Sequence, residues 1–139
     1  DTDGKIDIYV ATVGTGGTLT GTAKYLKEQN PDIVGVLADP YGSTIGGGEH
    51  FDYNIEGIGN DFIADTMDIT LVDKVIKIND DEAFAASRNL AKHEGILAGS
   101  SSGAALAAAL KLAEEIDEGN IVTVFPDRGD RYLSKGLFD

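Results

Sequence analysis

The chain has 139 residues, of which 42% are hydrophobic, and this composition is typical of one globular domain with a buried core. Its 24 acidic and 11 basic residues give a formal net charge of −13, which excludes a nucleic-acid partner because phosphate backbones would be repelled. The absence of cysteine excludes disulfides and thiolate metal sites, and no apolar run approaches the roughly 18 residues of a membrane span, so we expect no membrane partner.

Strand and helix signals alternate along the sequence. The predicted elements are a strand over 6–11, a helix from 19, a strand over 33–38, a glycine-rich irregular segment over 41–59, a strand over 71–78, a helix over 79–93, a short strand over 96–98, an alanine-rich helix after 103 with Leu106, Leu110 and Ala113 on one stripe, and a strand over 121–125. This order predicts a three-layer α/β fold, a mostly parallel sheet with helices on both faces. We expect residues 1–139 to form a single, incomplete domain of a longer polypeptide, because the chain opens with Asp1 rather than Met.

The turn Val13–Thr18 directly follows the first predicted strand and opens the first helix. Its glycines allow the backbone to approach a ligand closely, and free N–H groups there meet the positive end of the helix dipole. The turn therefore predicts a site for a phosphorylated ligand.

Two nucleotide-binding patterns fit this turn to different degrees. A P-loop ends in Gly-Lys-Ser/Thr, and Gly17 is followed by Thr18 and Leu19, so a P-loop is excluded. A dinucleotide fingerprint is matched in part: Leu19 stands where its third glycine belongs, while Asp39 ends the next strand where a ribose-binding acid lies. A nicotinamide-dependent oxidoreductase therefore stays an alternative.

Three further segments are expected at the same carboxyl edge of the sheet, where ligands collect in such folds: the stretch 41–59, the serines 100–102 and the run 126–129. Two interpretations of the serines stay open. One of them caps the helix that follows, or a hydroxyl, which both donates and accepts, binds a ring nitrogen of the ligand. Neither His50 nor His93 has a second ligand at metal spacing, so we expect no metal site.

Several segments together resemble one family, and they occur in that family's order. The turn GTGGT at 14–18 resembles the cofactor-phosphate loop of the fold type II pyridoxal-phosphate enzymes, and EGILAGSSSGAA at 94–105 is similar to their pyridine-nitrogen segment. FPDRGDRYLS at 125–134 resembles the terminal signature of the cysteine synthases, while IEGIGNDFI at 55–63 and VDK at 72–74 resemble cystathionine β-synthase. The chain is therefore identified as a member of the cysteine synthase/cystathionine β-synthase family.

The resemblance implies pyridoxal 5'-phosphate as the cofactor and assigns roles to ten residues. Ser101 would hydrogen-bond the pyridine nitrogen, and this neutral partner does not favour a protonated ring. Gly57 and Gly59 would lie on the substrate side, and Pro126 and Asp127 near the ring. The cofactor phosphate would be held by Gly14, Thr15, Gly16, Gly17 and Thr18.

The implied reaction is β-replacement on a small amino acid. Homocysteine or sulfide would replace the β-substituent of serine or O-acetylserine, giving cystathionine or cysteine. Asn60 stands where animal-type cystathionine β-synthases resemble each other in carrying tyrosine, so the choice between serine and O-acetylserine stays open. The resemblance also implies a cytoplasmic homodimer.

In this family the lysine that forms the Schiff base with the cofactor lies in the N-terminal half of the enzyme, and this chain contains no segment that resembles that half. Its signature is absent around Lys5, Lys24, Lys27, Lys74 and Lys77. We therefore expect no catalytic residue here, a requirement for the missing N-terminal part as partner, and no activity from these residues alone. A non-catalytic phosphate-binding module is the alternative that the missing lysine leaves open.

Overall fold

The computed structural model describes all 139 residues and contains one four-stranded parallel sheet flanked by three helices. The predicted α/β fold is therefore confirmed. None of the helices combines the length and the hydrophobicity that crossing a membrane requires. The elements in chain order are β1 (Ile8–Thr12), α1 (Gly17–Gln29), β2 (Val34–Pro40), a 3₁₀ helix (Ile69–Leu71), β3 (Lys74–Ile78), α2 (Asp80–Glu94), α3 (Ser100–Glu115), β4 (Ile121–Thr123) and a second 3₁₀ helix (Gly129–Lys135).

The strand order β3-β2-β1-β4 places the first strand beside the last. Val10 of β1 is level with Val36 of β2 on one side and with Thr123 of β4 on the other. The chain runs outward from β1 to β3 and then returns to the opposite side of β1. A crevice forms at the carboxyl end of the sheet where the strand order reverses in this way.

Alternate side chains of the central strands pack on opposite faces of the sheet. Val10 and Val36 belong to a core cluster with the small residues of α2 and α3. Tyr9 and Leu37 belong to a second cluster with Leu19 of α1. The sheet is therefore the middle of three layers.

Helix α3 differs from the sequence prediction in its start and in its buried face. It begins at Ser100, with Gly99 as its N-cap, rather than after residue 103. Its buried side is made of small residues and Leu112, whereas Leu110 of the predicted stripe is 55% exposed. A Cβ at Gly103 would overlap the backbone of Ala83 in α2, so the two helices pack too closely for a larger side chain at this crossing.

The short strand predicted over 96–98 does not form, and the final strand ends at Thr123. Five residues between α2 and α3 are too few for a crossover to a parallel strand. The segment instead meets the stretch after β4 in antiparallel orientation: Gly99 N–H donates to Asp127 O at 3.3 Å, and Gly129 N–H donates to Leu97 O at 2.9 Å. This contact fixes Asp127 beside the start of α3.

A buried ion pair joins the carboxyl ends of β2 and β3. The Asp39 side chain is only 1% exposed, and its Oδ2 accepts from Lys77 Nζ at 2.6 Å and from Gly46 N–H at 3.0 Å. Its Oδ1 is buried and has no partner. The carboxylate therefore depends on Lys77 for its charge compensation.

We expect Lys77→Met to lower the free energy of unfolding by about 3–5 kcal/mol, because it leaves a buried carboxylate unpaired. The matched control is Lys74→Met on the same strand, where the ion pair with Glu115 is solvent-exposed and contributes less than about 1 kcal/mol. Urea unfolding of the two variants measures the difference. Equal losses would show that the Asp39 pair is no more desolvated than a surface pair.

Candidate functional site

A cavity of about 910 Å³ opens at the carboxyl ends of β1 and β4. Because these strands are neighbours, the turn after β1 and the stretch after β4 form adjacent walls. The start of α3 and the glycine-rich segment close it further. Its lining comprises Ala11, Thr12, Gly14, Thr15, Thr18, residues 56–60, Phe62, Ala64, Ser101, Val124, Pro126, Asp127, Arg131, Tyr132 and Lys135.

The turn after β1 leaves the N-terminus of α1 without a side-chain cap. Gly16 is the N-cap, at a left-handed φ of +89°, and the first turn contains no acidic residue. The closest side-chain acceptor is Thr15 Oγ1, 3.5 Å from Gly17 N. Backbone N–H groups and the helix dipole at this end are therefore available to an anion in the cavity.

Helix α2 provides a comparison within the same sheet edge. Asn79 Oδ1 accepts from Glu82 N–H at 2.8 Å, and the Glu82 carboxylate accepts from Asn79 N–H at 2.9 Å. The first turn of α2 therefore contains three acidic residues, Asp80, Asp81 and Glu82. An anion would be repelled there, whereas the uncapped start of α1 would attract one.

Only part of the predicted phosphate loop lines the cavity, and the rest forms the tight turn behind the cavity wall. Gly14, Thr15 and Thr18 line the cavity, whereas Gly16 and Gly17 do not. A Cβ at Gly16 would lie 2.5 Å from Met67 Cβ, so the turn packs tightly against the following segment. The predicted substrate-side residues lie on the adjoining wall.

Gly57 and Gly59 both line the cavity, at φ of +82° and +80°. Gly59 N–H donates to Val13 O at 2.8 Å, which ties this wall to the turn after β1. A Cβ at Gly14 would come 3.0 Å from Gly57 O. The two glycine segments therefore cross at backbone distance.

Two of the three serines of α3 share Asp127 as a partner, the third contacts Glu56, and none caps the helix. Ser100 Oγ accepts from Glu56 N–H at 3.1 Å. Ser101 and Ser102 each donate to Asp127 Oδ1 at 3.2 Å. Ser101 is the serine that lines the cavity, where its hydroxyl is available to a ligand.

Pro126 and Asp127 line the cavity beside Ser101. Tyr132 OH donates to the second carboxylate oxygen of Asp127. Burial raises the pKa of Tyr132, and the hydrogen bond to Asp127 raises this pKa further. The phenol therefore stays protonated and remains a donor to Asp127.

Three charged residues of the cavity were not predicted as site residues. Lys135 Nζ pairs with Glu56 Oε1 at 2.6 Å and with Oε2 at 2.8 Å, and Arg131 lines the same wall. The spacing of Tyr132 and Lys135 is the one sequence signal that places Lys135 near the site. Residues three apart in a 3₁₀ helix share a side, so Lys135 lies on the same side as Tyr132. Their ammonium–ring distance is 5.8 Å.

Several other candidates lie outside the cavity. His50 Nδ1 lies 3.2 Å from Gly42 O, and His93 is exposed in the last turn of α2. Arg128 is exposed and pairs with Asp130 at 3.4 Å. Asp39, the acid of the dinucleotide alternative, is buried against Lys77 and faces no ligand space. The nicotinamide alternative thereby loses its ribose contact.

Comparison with known proteins gives matches over nearly the whole chain. The profile of a family described as "Pyridoxal-phosphate dependent enzyme" matches residues 1–127. The O-acetylserine dependent cystathionine β-synthase of Bacillus subtilis (strain 168) is 49% identical over 138 residues, which are 99% of this chain and 45% of that protein. Cysteine synthase A of Escherichia coli (strain K12) is 47% identical over 152 residues, covering 99% of this chain and 46% of that protein.

A solved structure shows the same fold. The crystal structure of O-acetylserine dependent cystathionine β-synthase from Helicobacter pylori superposes with a TM-score of 0.92 at 47% identity. It covers 98% of this chain, and the chain covers 45% of that structure. The chain thus spans less than half the length of the relatives it matches.

We expect Gly16→Ala to lower the free energy of unfolding by at least about 2 kcal/mol, because it imposes a left-handed φ on alanine and overlaps Met67. The matched control is Gly21→Ala in α1, where nothing lies within 4 Å of the new Cβ and a gain of about 0.5–1 kcal/mol is expected. Urea unfolding measures both. A neutral Gly16→Ala would contradict the tight turn.

We expect the Tyr132 phenol to ionise well above its ordinary pKa of 10.0, because burial and Asp127 disfavour the phenolate. A raised folded-state pKa contributes stability that is present below pH 10.0 and is lost as the pH rises through the raised pKa. The phenolate absorbance of the parent minus that of Tyr132→Phe, followed against pH, reports this residue. A midpoint at or below the ordinary value would contradict its buried hydrogen bond.

Proposed function

Because this chain belongs to the pyridoxal-phosphate dependent enzyme family, we propose that it supplies the cofactor-phosphate part of a β-replacement enzyme. The observation that carries the proposal is the uncapped N-terminus of α1, which faces a hydroxyl–carboxylate wall at Ser101 and Asp127 across one cavity. One end of the cavity suits an anion, and the other suits a ring nitrogen.

The residues present fit pyridoxal phosphate. Of the predicted phosphate loop, Gly14, Thr15 and Thr18 line the cavity and would offer backbone N–H groups to the phosphate, with the hydroxyls of Thr15 and Thr18 as further donors. Gly16 and Gly17 would form the tight turn behind them. Ser101 would meet the pyridine nitrogen, with Pro126 and Asp127 beside the ring. When bound, this cofactor withdraws electrons from the α-carbon of an amino acid and so permits loss of the β-substituent.

Gly57 and Gly59 would form the substrate wall, and their position is fixed by a buried anchor. Ser43 is fully buried, and its Oγ accepts from Asn60 N–H at 3.0 Å and donates to Asn60 O at 3.1 Å. The backbone of this segment is therefore held firmly at the cavity. We assign this segment to binding of the amino-acid substrate, which is serine or O-acetylserine. The second substrate of the proposed reaction is homocysteine or sulfide.

The lysine that binds the cofactor covalently would come from outside these 139 residues. Lys135 is the lysine that lines the cavity, and Glu56 holds its ammonium group. Lys27, Lys74 and Lys77 pair with carboxylates elsewhere. We therefore propose that residues 1–139 need the N-terminal part of the enzyme for activity, and the family resemblance supports a cytoplasmic homodimer.

We expect the protein containing this chain to bind pyridoxal phosphate and to convert O-acetylserine or serine with homocysteine or sulfide. Product analysis of the four substrate pairs identifies the reaction. Cofactor binding without turnover of any pair would instead support the non-catalytic binding module.

We expect Thr15→Val or Thr18→Val to weaken pyridoxal phosphate binding roughly tenfold, because each removes a hydroxyl donor to a charged phosphate. The matched control is Thr70→Val, an exposed threonine outside the cavity, which leaves the affinity unchanged. Fluorescence titration with the cofactor measures all three. Unchanged affinity in both loop variants would place the phosphate elsewhere.

A further inference from the structure

The ammonium group of Lys77, near the end of β3, lies among oxygens of the segment that follows β2. Its Nζ donates to Asp39 Oδ2 at 2.6 Å, to Ser43 O at 2.8 Å and more weakly to Pro40 O at 3.4 Å. An ammonium group has three donors and no acceptor, so these oxygens satisfy it. The group is therefore a cation held by one carboxylate and two backbone carbonyls.

The same segment supports the cavity wall that contains Gly59. Ser43 Oγ binds both the N–H and the carbonyl of Asn60, at 3.0 and 3.1 Å. A Cβ at Gly59 would come 3.1 Å from Pro40 Cγ, so the wall and the segment 40–44 are in close contact. The position of this wall therefore depends on the position of that segment.

The segment has no regular structure of its own to hold it. Strand β2 ends at Pro40, and the next helix or strand begins at Ile69. Lys77 binds Ser43 through the carbonyl oxygen, and Ser43 binds Asn60 through the hydroxyl. A hydrogen bond with a charged partner is about twice as strong as one between neutral groups. Lys77 thus supplies the charged contact in a series of contacts that leads from β3 to the cavity wall.

We propose that Lys77 is a positioning residue for the amino-acid substrate, because its ammonium group keeps the wall with Gly57 and Gly59 in place. This inference rests on the proposed function, which assigns that wall to the amino acid. Lys77 does not line the cavity, so it acts through Ser43 and Asn60. The contacts proposed for the cofactor lie on other segments, after β1, at the start of α3 and after β4. Loss of the ammonium group therefore weakens binding of the amino acid and leaves binding of the cofactor nearly unchanged.

The test uses Lys77→Ala in the whole protein that contains this chain, loaded with pyridoxal phosphate. The probe is L-alanine, which has the α-amino and α-carboxyl groups of the substrates but no β-leaving group, and its binding is followed by the absorbance of the cofactor. We expect its dissociation constant to rise roughly tenfold, while that of pyridoxal phosphate changes by less than about twofold. The matched control is Lys74→Ala on the same strand, which removes an exposed pair with Glu115 and leaves both constants unchanged.

Chemical rescue separates positioning from a general loss of structure. Lys77→Ala lacks the propylammonium portion of the lysine side chain, and propylammonium in solution supplies the same group. The Lys77 side chain is 19% exposed, so a small solute reaches this position. We expect propylammonium, but not 1-propanol, to restore most of the affinity for L-alanine. Equal effects of the two solutes would show that the charge is not needed and would overturn the inference.

A second variant tests the same inference without leaving a buried charge unpaired. Asp39→Asn/Lys77→Met removes both charges of the pair, so its cost in folding is smaller, but the hydrogen bond to Ser43 O is still missing. We expect the same rise in the dissociation constant for L-alanine. A constant equal to that of the parent in either variant would overturn the inference. Failure of the parent to bind pyridoxal phosphate or L-alanine would instead overturn the proposed function.

Discussion

The candidate site depends on the pairing of β1 with β4. Thr123 Oγ1 donates to Val10 O at 2.8 Å across this pair, and the two strands end at the same edge of the sheet. Because β2 and β3 lie on the other side of β1, nothing in the sheet separates the turn after β1 from the stretch after β4. The uncapped N-terminus of α1 and the carboxylate of Asp127 therefore face one cavity.

Three helices begin at this edge, and the unpaired N–H groups of their first turns differ in the partners they have. Helix α2 satisfies its own start with the Asn79–Glu82 capping box. Helix α1 has neither a side-chain cap nor a first-turn acid, which leaves its donors for a ligand. Helix α3 has no cap of its own, but Asp127 lies over its first turn. Whether a helix end keeps free N–H donors is thus decided by residues distant in sequence as well as by local ones.

The sequence predicts the layers and the uncapped glycine turn that opens α1 because both depend on local pattern: apolar strands, and glycines between a strand and a helix. Prediction from the sequence fails where packing between distant segments decides which structure a segment adopts. Residues 96–98 have strand composition, yet they meet 127–129 in antiparallel contact, and Leu110 is exposed because α3 packs through its small residues. Glu56 and Lys135 are 79 residues apart, so nothing local marks them as a pair at the cavity.

These long-range contacts form a polar ring around the cavity. Ser100 binds the Glu56 backbone, Glu56 pairs with Lys135, Lys135 shares a helix side with Tyr132, and Tyr132 binds Asp127, which returns to α3 through Ser101. The ring has two unlike halves. The serines of α3 and Tyr132 are buried, so their hydrogen bonds are strong and their geometry is fixed. The Lys135 and Glu56 side chains are 53% and 47% exposed, so solvent screens their attraction and the pair opens at little cost. In the proposed enzyme the fixed half faces the cofactor ring, and the adjustable half faces the wall assigned to substrates that must enter and leave.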